Sequence, residues 1–226
     1  MAKSKSSYVC QQCGANFGKW SGQCAECGAW NSLVEAPMVS MPHHKPVTKK
    51  ASNYAGEQSS VMPLNAVPMS LDTRLSTGVG EFDRVLGGGL VAGSVVLIGG
   101  DPGIGKSTIL LQTAIHMAEN QSLAGSALYI TGEESLSQVA MRASRLGLPN
   151  NNLKVLAETN VEMICQALTQ EQPAVAIIDS IQTLFTEAIQ SAPGGVSQIR
   201  ESAAILTRYA KQTGTALFLV GHVTKE

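Results

Sequence analysis

Aromatic side chains are scarce, at 4% of the 226 residues, and charged ones make up only 15%. So few rings argue against a β-sandwich, and so little charge beside 44% hydrophobic content argues against a disordered chain, leaving an aliphatic α/β interior as the expectation. No apolar stretch approaches the ~20 residues that span a bilayer. Met1-Ala2-Lys3-Ser4-Lys5 has no apolar signal core either, so a soluble cytoplasmic protein with no membrane partner is expected. No internal repeat is visible. The length allows one ordinary domain plus something small, or two modest domains.

Against that sparse background, Gly99-Gly100-Asp101-Pro102-Gly103-Ile104-Gly105-Lys106-Ser107-Thr108 fits the phosphate-binding pattern GxxxxGK[ST] at every position. It follows the apolar run Val95 to Ile98 and opens a segment with helical periodicity. Glycines at 100, 103 and 105 let several backbone N–H groups point inward, and the following helix start adds partial positive charge facing the same cavity. Residues Gly100 to Thr108 are therefore the candidate ATP-binding loop, with Lys106 reaching the β and γ phosphates and Ser107 ligating Mg²⁺. The plain alternative is a Gly-rich turn from strand to helix. The complete match in that setting weighs against it.

Four of the five cysteines form Cys10-x-x-Cys13 and Cys24-x-x-Cys27, each pair followed by a glycine, Gly14 and Gly28. This spacing suits two knuckles aiming four thiolates at one tetrahedral Zn²⁺, and a full set of cysteines leaves no open position for a hydrolytic water. Two disulfides are the weaker reading in a compartment that keeps thiols reduced. A module of this size has too little core to fold alone, so the metal supplies the folding energy, about 10 kcal/mol or more. Tyr8, Phe17, Trp20 and Trp30 fall in the same segment and are expected to pack against the knuckles, the alternative being a stacking platform for unpaired bases.

The net charge of −1 hides an asymmetry: residues 1–50 hold six Lys and two acids (+4), and residues 51–226 hold ten Lys/Arg and fifteen acids (−5). The basic arm fits either nucleic acid contact or a solvated face. Prolines 37, 42, 46, 63 and 68 mark residues 36–70 as a linker, with His43 and His44 exposed inside it and the zinc module mobile on its tether. The expected organisation is a zinc module over 1–35, the linker over 36–70 and an α/β core over 71–226.

Structured sequence resumes near Leu71, where Thr77 is placed to cap a short helix carrying Val79, Phe82, Val85 and Leu86. Helical spacing of Ile109, Leu110, Thr113, Ala114 and Met117 follows the loop. Strands are expected at Ala127–Ile130, Leu153–Leu156, Ala174–Ile178 and Ala216–Val220, with helices at Ser135–Leu146, Asn160–Thr169 and Val196–Thr213 between them. Such alternation implies a largely parallel sheet covered on both faces. Cys165 shares an apolar helical face with Val161, Ile164 and Leu168 and reads as core.

An open α/β sheet binds its ligand at the carboxyl ends of its strands, and three ends carry chemistry. Asp179 follows Ala174–Ile178 and is placed to hold Mg²⁺ through its water shell; the alternative is a turn or cap residue. Glu133, near the end of the strand that stops at Thr131, is the candidate to polarise the attacking water, and Glu134 is the better candidate for a carboxylate placed only by a helix dipole. His222, after the last strand, is either a γ-phosphate sensor or a buried structural histidine.

The four-Cys knuckle, the linker, the stretch Thr77-Gly78-Val79-Gly80-Glu81-Phe82-Asp83-Arg84-Val85-Leu86-Gly87-Gly88-Gly89-Leu90, the phosphate loop and Thr131-Gly132-Glu133-Glu134-Ser135, in that order, resemble the bacterial RadA (Sms) family of DNA repair proteins in the RecA-like ATPase superfamily. The resemblance runs from Cys10 to the last residue. It implies a RecA-like ATPase core with Glu133 as catalytic glutamate, Asp179 as magnesium aspartate and His222 at the polar switch position. It also implies a DNA-dependent ATPase that drives branch migration of recombination intermediates, with a DNA-facing loop at about Gln182 to Gln198 made flexible by Ala192-Pro193-Gly194-Gly195, and Arg200 as the nearest phosphate contact. In the family a Lys-Asn-Arg-Phe-Gly motif and a Lon-protease-like domain come next, and they help couple subunits in a homo-oligomeric ring. The sequence stops at Glu226, before both, so weak hydrolysis and failed assembly are the expectation for it. The competing function is an ATP-binding regulatory switch whose zinc module recruits a protein partner.

Overall fold

The computed structural model describes residues 7–36, 63–66, 74–120, 126–149 and 152–222. Most of the expected linker, with His43 and His44, and the expected restart at Leu71 lie outside the described residues.

Strands β1 (Ser7–Cys10), β2 (Asn16–Phe17) and β3 (Leu33–Ala36) form a small antiparallel sheet in the order β2-β1-β3. Its buried apolar residues are Val9, Cys10, Cys24 and Leu33, with Tyr8 and Phe17 packed alongside as expected. Trp20 and Trp30 depart from the expectation, being 58% and 72% exposed. So thin an interior has no second layer to receive an indole, and both rings lean over Gly22, which has no side chain to pack on. The turn at Gly14 touches the core: a Cβ there would lie 2.8 Å from Ser197 Cβ.

Helix α1 (Gly80–Val85) is shorter than expected, and Thr77 does not cap it. The cap position falls to extended Val79, which bonds through no side chain. Instead the Asp83 carboxylate accepts from Thr77 N at 2.8 Å and Thr77 Oγ1 at 2.6 Å, so the helix interior ties down the loop before it. Beyond it, Gly89 must be glycine, since a Cβ would meet Leu75 O at 2.5 Å where Leu75 and Leu90 pair.

The rest alternates as β4 (Val95–Gly100), α2 (Lys106–Glu119), β5 (Ala127–Thr131), α3 (Leu136–Leu146), β6 (Lys154–Ala157), α4 (Val161–Glu171), β7 (Val175–Asp179), α5 (Val196–Thr213) and β8 (Ala216–His222). Local signals fix the helix starts. Ser135 and Gln138 form a reciprocal capping box ahead of α3, and Asn160 Oδ1 accepts from Met163 N at the start of α4. All five core strands are parallel, in the order β4-β8-β7-β5-β6.

Alternation along the strands splits the core into two layers. Ala127, Tyr129, Val175, Ile177, Ala216, Phe218 and Val220 pack with Leu110, Leu111 and Ala114 of α2 and Val139 of α3. Leu128, Ile130, Ala176, Ile178, Leu217 and Leu219 pack with Val161, Ile164 and Leu168 of α4 and Leu206 and Ala210 of α5, and Cys165 lies against this second layer. Every residue of β5 and β7 is buried, as continuous apolar runs in a parallel sheet require. Among the described residues, no helix is long and apolar enough to cross a membrane.

Candidate functional site

The parallel arrangement brings the carboxyl ends of β4, β8, β7 and β5 to one edge of the sheet. β4 ends at Gly100, and a short loop turns the chain into α2 through Gly103 and Gly105, both left-handed at φ 80° and 96°. Gly105 takes the helix cap position, no side chain bonds there and the first turn contains no acid. The amides of that turn therefore face the loop with their partial positive charge uncompensated. Lys106 is buried, and its Nζ donates to Gly100 O and Asp101 O, each at 2.8 Å. Asp101, Pro102, Gly103, Ile104 and Thr108 are exposed, and Ser107 is half-buried.

Asp179, the last residue of β7, follows Val175 and Ile177 on the face that packs against α2, the helix whose first turn holds Ser107. It is 5% exposed. Tyr129 of β5, two residues before the partner of Asp179 in register, donates its hydroxyl to Asp179 Oδ2. Burial first, and then the Asp179 charge, push the Tyr129 hydroxyl far above the usual phenol range, so it stays protonated. The other carboxylate oxygen, Oδ1, is buried and has no hydrogen-bond partner among the described residues. A buried unpartnered carboxylate oxygen at the same sheet edge as a phosphate-type loop fits a hydrated divalent cation.

The two neighbouring glutamates separate. Glu134 pairs with Arg142 of α3, and its N–H donates to Thr131 Oγ1 at 3.0 Å, so it anchors the turn. Glu133 turns the other way, where its Oε1 accepts from the Ser180 hydroxyl and lies 3.0 Å from His222 Nε2. Burial alone would raise the Glu133 pKa. The bonds from Ser180 and His222, with the Lys106 charge, outweigh it and hold the carboxyl below its ordinary value. Gly132 makes this approach possible, since a Cβ there would sit 2.1 Å from Thr183 Oγ1. Of the residues singled out in the sequence, Glu133 and His222 are in direct contact and Lys106 and Asp179 lie at the same sheet edge, while two residues that the sequence pattern does not show bond to the carboxylates, Tyr129 to Asp179 and Ser180 to Glu133. A tyrosine inside a buried strand, which needs a partner for its hydroxyl, was the available signal for the first.

The expected DNA-facing segment is compact. Gln198, buried at the start of α5, donates through Nε2 to Ser191 O at 2.8 Å and accepts at Oε1 from Thr186 N at 2.8 Å, folding the loop around one amide. Arg200 is exposed on α5, within one turn of Ser197.

Cys10, Cys13, Cys24 and Cys27 converge, with all four sulfurs within 4.8 Å of one another and none in a disulfide. The separations of 3.7 Å for Cys10 to Cys27 and 3.6 Å for Cys13 to Cys24 are close to the ~3.8 Å edge of a tetrahedron with ~2.3 Å zinc–sulfur bonds. A disulfide needs ~2.05 Å. Gly14 and Gly28 donate to Cys10 O and Cys24 O at 2.8 and 2.9 Å, closing the two knuckles, and Ser32 Oγ lies 3.2 Å from Cys10 Sγ in an outer layer. The four-cysteine ribbon is a zinc-binding module.

Comparison with known proteins agrees with both parts. The family described as AAA domain matches residues 67–226, and the family described as rubredoxin metal binding domain matches residues 8–35. Proteins called DNA repair protein RadA are 60% identical in Pseudomonas aeruginosa, 50% in Escherichia coli and 47% in Bacillus subtilis, each aligned over 100% of this chain and over 48%, 49% and 48% of its own length. The chain thus spans about half the length of the curated relatives it matches.

Proposed function

Because the chain belongs to the AAA domain family, among bacterial sequences of the RadA type, we propose that it binds ATP with magnesium at the phosphate loop and hydrolyses it as a DNA-dependent ATPase of recombinational repair. The observation that carries the reading is Glu133 Oε1 held between the Ser180 hydroxyl and His222 Nε2, at the same sheet edge as Lys106 and Asp179. The amides of Gly100 to Thr108 cradle the phosphates, and Lys106 exchanges its two loop carbonyls for phosphate oxygens, a stronger charge-assisted pairing. Ser107 and Asp179 hold the magnesium, which neutralises charge building on the phosphates when bound. Glu133 draws the proton from the attacking water, and His222, bonded to the same oxygen, senses whether the γ-phosphate is present. Branch migration, a homo-oligomeric ring of the longer protein, a DNA phosphate contact at Arg200 and a cytoplasmic location belong to the same reading.

The test is ATP turnover, by the chain extended to the length of its relatives, with and without single-stranded DNA at low salt. Stimulation of about 10-fold or more that fades as salt rises is the expected result, because phosphate contacts release counterions. Turnover indifferent to DNA at every salt concentration contradicts the DNA-dependent reading. It would favour a regulatory switch recruiting a protein through the zinc ribbon, a second reading supported by the exposure of Trp20 and Trp30.

A further inference from the structure

β5 and β7 lie side by side with Thr131 opposite Asp179, which puts Tyr129 one same-face step behind that pair. Tyr129 is 1% exposed, and its ring is wedged in the apolar layer between the sheet and α2. So confined a side chain has almost no freedom to move its hydroxyl. That hydroxyl donates to Asp179 Oδ2, while Asp179 Oδ1 has no partner among the described residues. The nearby Arg142 does not compensate visibly, since its Nη2 pairs with Glu134 and its Nη1 is itself buried and unpartnered. Leaving one oxygen of a buried carboxylate bare while bonding the other is costly unless the bare oxygen is meant for a ligand.

We propose that Tyr129 is a positioning residue for magnesium: by pinning Oδ2 it stops rotation of the Asp179 carboxylate and reserves Oδ1 for the water shell of the ion. The inference rests on the reading of Asp179 as the magnesium carboxylate. A tyrosine present only to fill the core would use Asp179 as a convenient acceptor, and loss of its hydroxyl would cost stability alone.

A fluorescent ATP analogue titrated into the chain, first in EDTA and then across a magnesium series, separates the two. Tyr129→Phe is expected to keep metal-free nucleotide affinity within about 2-fold, which also reports that it folds, and to raise the half-saturating magnesium concentration about 10-fold, the low end for an outer-layer partner. In an Asp179→Asn background, the same substitution is expected to change that concentration by less than about 2-fold, because an amide that accepts from Tyr129 has no second oxygen left to reserve for the ion. An unchanged magnesium requirement in Tyr129→Phe overturns the inference, as does an effect that persists undiminished in Asp179→Asn. If the unsubstituted chain binds the analogue with no magnesium dependence, the magnesium reading falls and the inference with it, a result distinct from either of those.

Discussion

Glu133→Gln is expected to bind ATP as tightly as the unchanged chain and to turn it over about 10²- to 10⁴-fold more slowly, the usual contribution of a positioned base. Glutamine keeps an oxygen for the Ser180 hydroxyl and the shape of the turn, so the site stays folded while the ability to accept a proton is lost. The pH dependence has a definite sign. Because the Glu133 pKa is lowered by Ser180, His222 and the Lys106 charge against the upward push of burial, the carboxylate remains ionised below the usual carboxylate range. Any loss of turnover caused by protonation of Glu133 should therefore set in below the ordinary glutamate pKa. Single-turnover hydrolysis paired with equilibrium nucleotide binding checks both halves; equal turnover in the two proteins would remove Glu133 from the chemistry.

Stripping zinc, or replacing Cys27 by Ser, is expected to unfold residues 7–36 outright while leaving the nucleotide site intact. Three strands of four, two and four residues around Cys10, Cys24 and Leu33 cannot offset the conformational entropy of ordering them. Structural zinc supplies about 10–16 kcal/mol at neutral pH, so its loss is the largest single change available to this chain. Amide hydrogen exchange should show protection lost over residues 7–36 on chelation and kept over β5 and β7, with nucleotide affinity unchanged. Protection that survives chelation would mean the ribbon folds on other grounds. Loss of nucleotide binding would mean that the contact of Gly14 with Ser197 transmits ribbon folding into the core.

What could be read from the letters followed how local each signal was. The run Val175 to Ile178 is apolar because both faces of β7 are covered, and the span of α5 is visible from periodicity alone. The phosphate loop is equally local, since its glycines and lysine are contiguous. The start of α1 was not legible because Asp83 engages Thr77 N and Oγ1 and leaves the cap position to Val79, a bond between side chain and loop that propensity does not encode. The exposure of Trp20 and Trp30 depends on how little core the ribbon has, which spacing of cysteines does not reveal. Tyr129 and Ser180 escaped notice for a different reason. Their value lies in register across β5 and β7, where residues fifty apart in the chain, or nearly so, share one hydrogen bond.

The most direct test of the central claim is calorimetric titration of ATP, with magnesium, into the unchanged chain and into Lys106→Ala. The account predicts one saturable site in the first and affinity about 10- to 100-fold weaker in the second, as expected for loss of a charge-assisted contact to phosphate. Equal affinity in the two, or no binding to either, would contradict it.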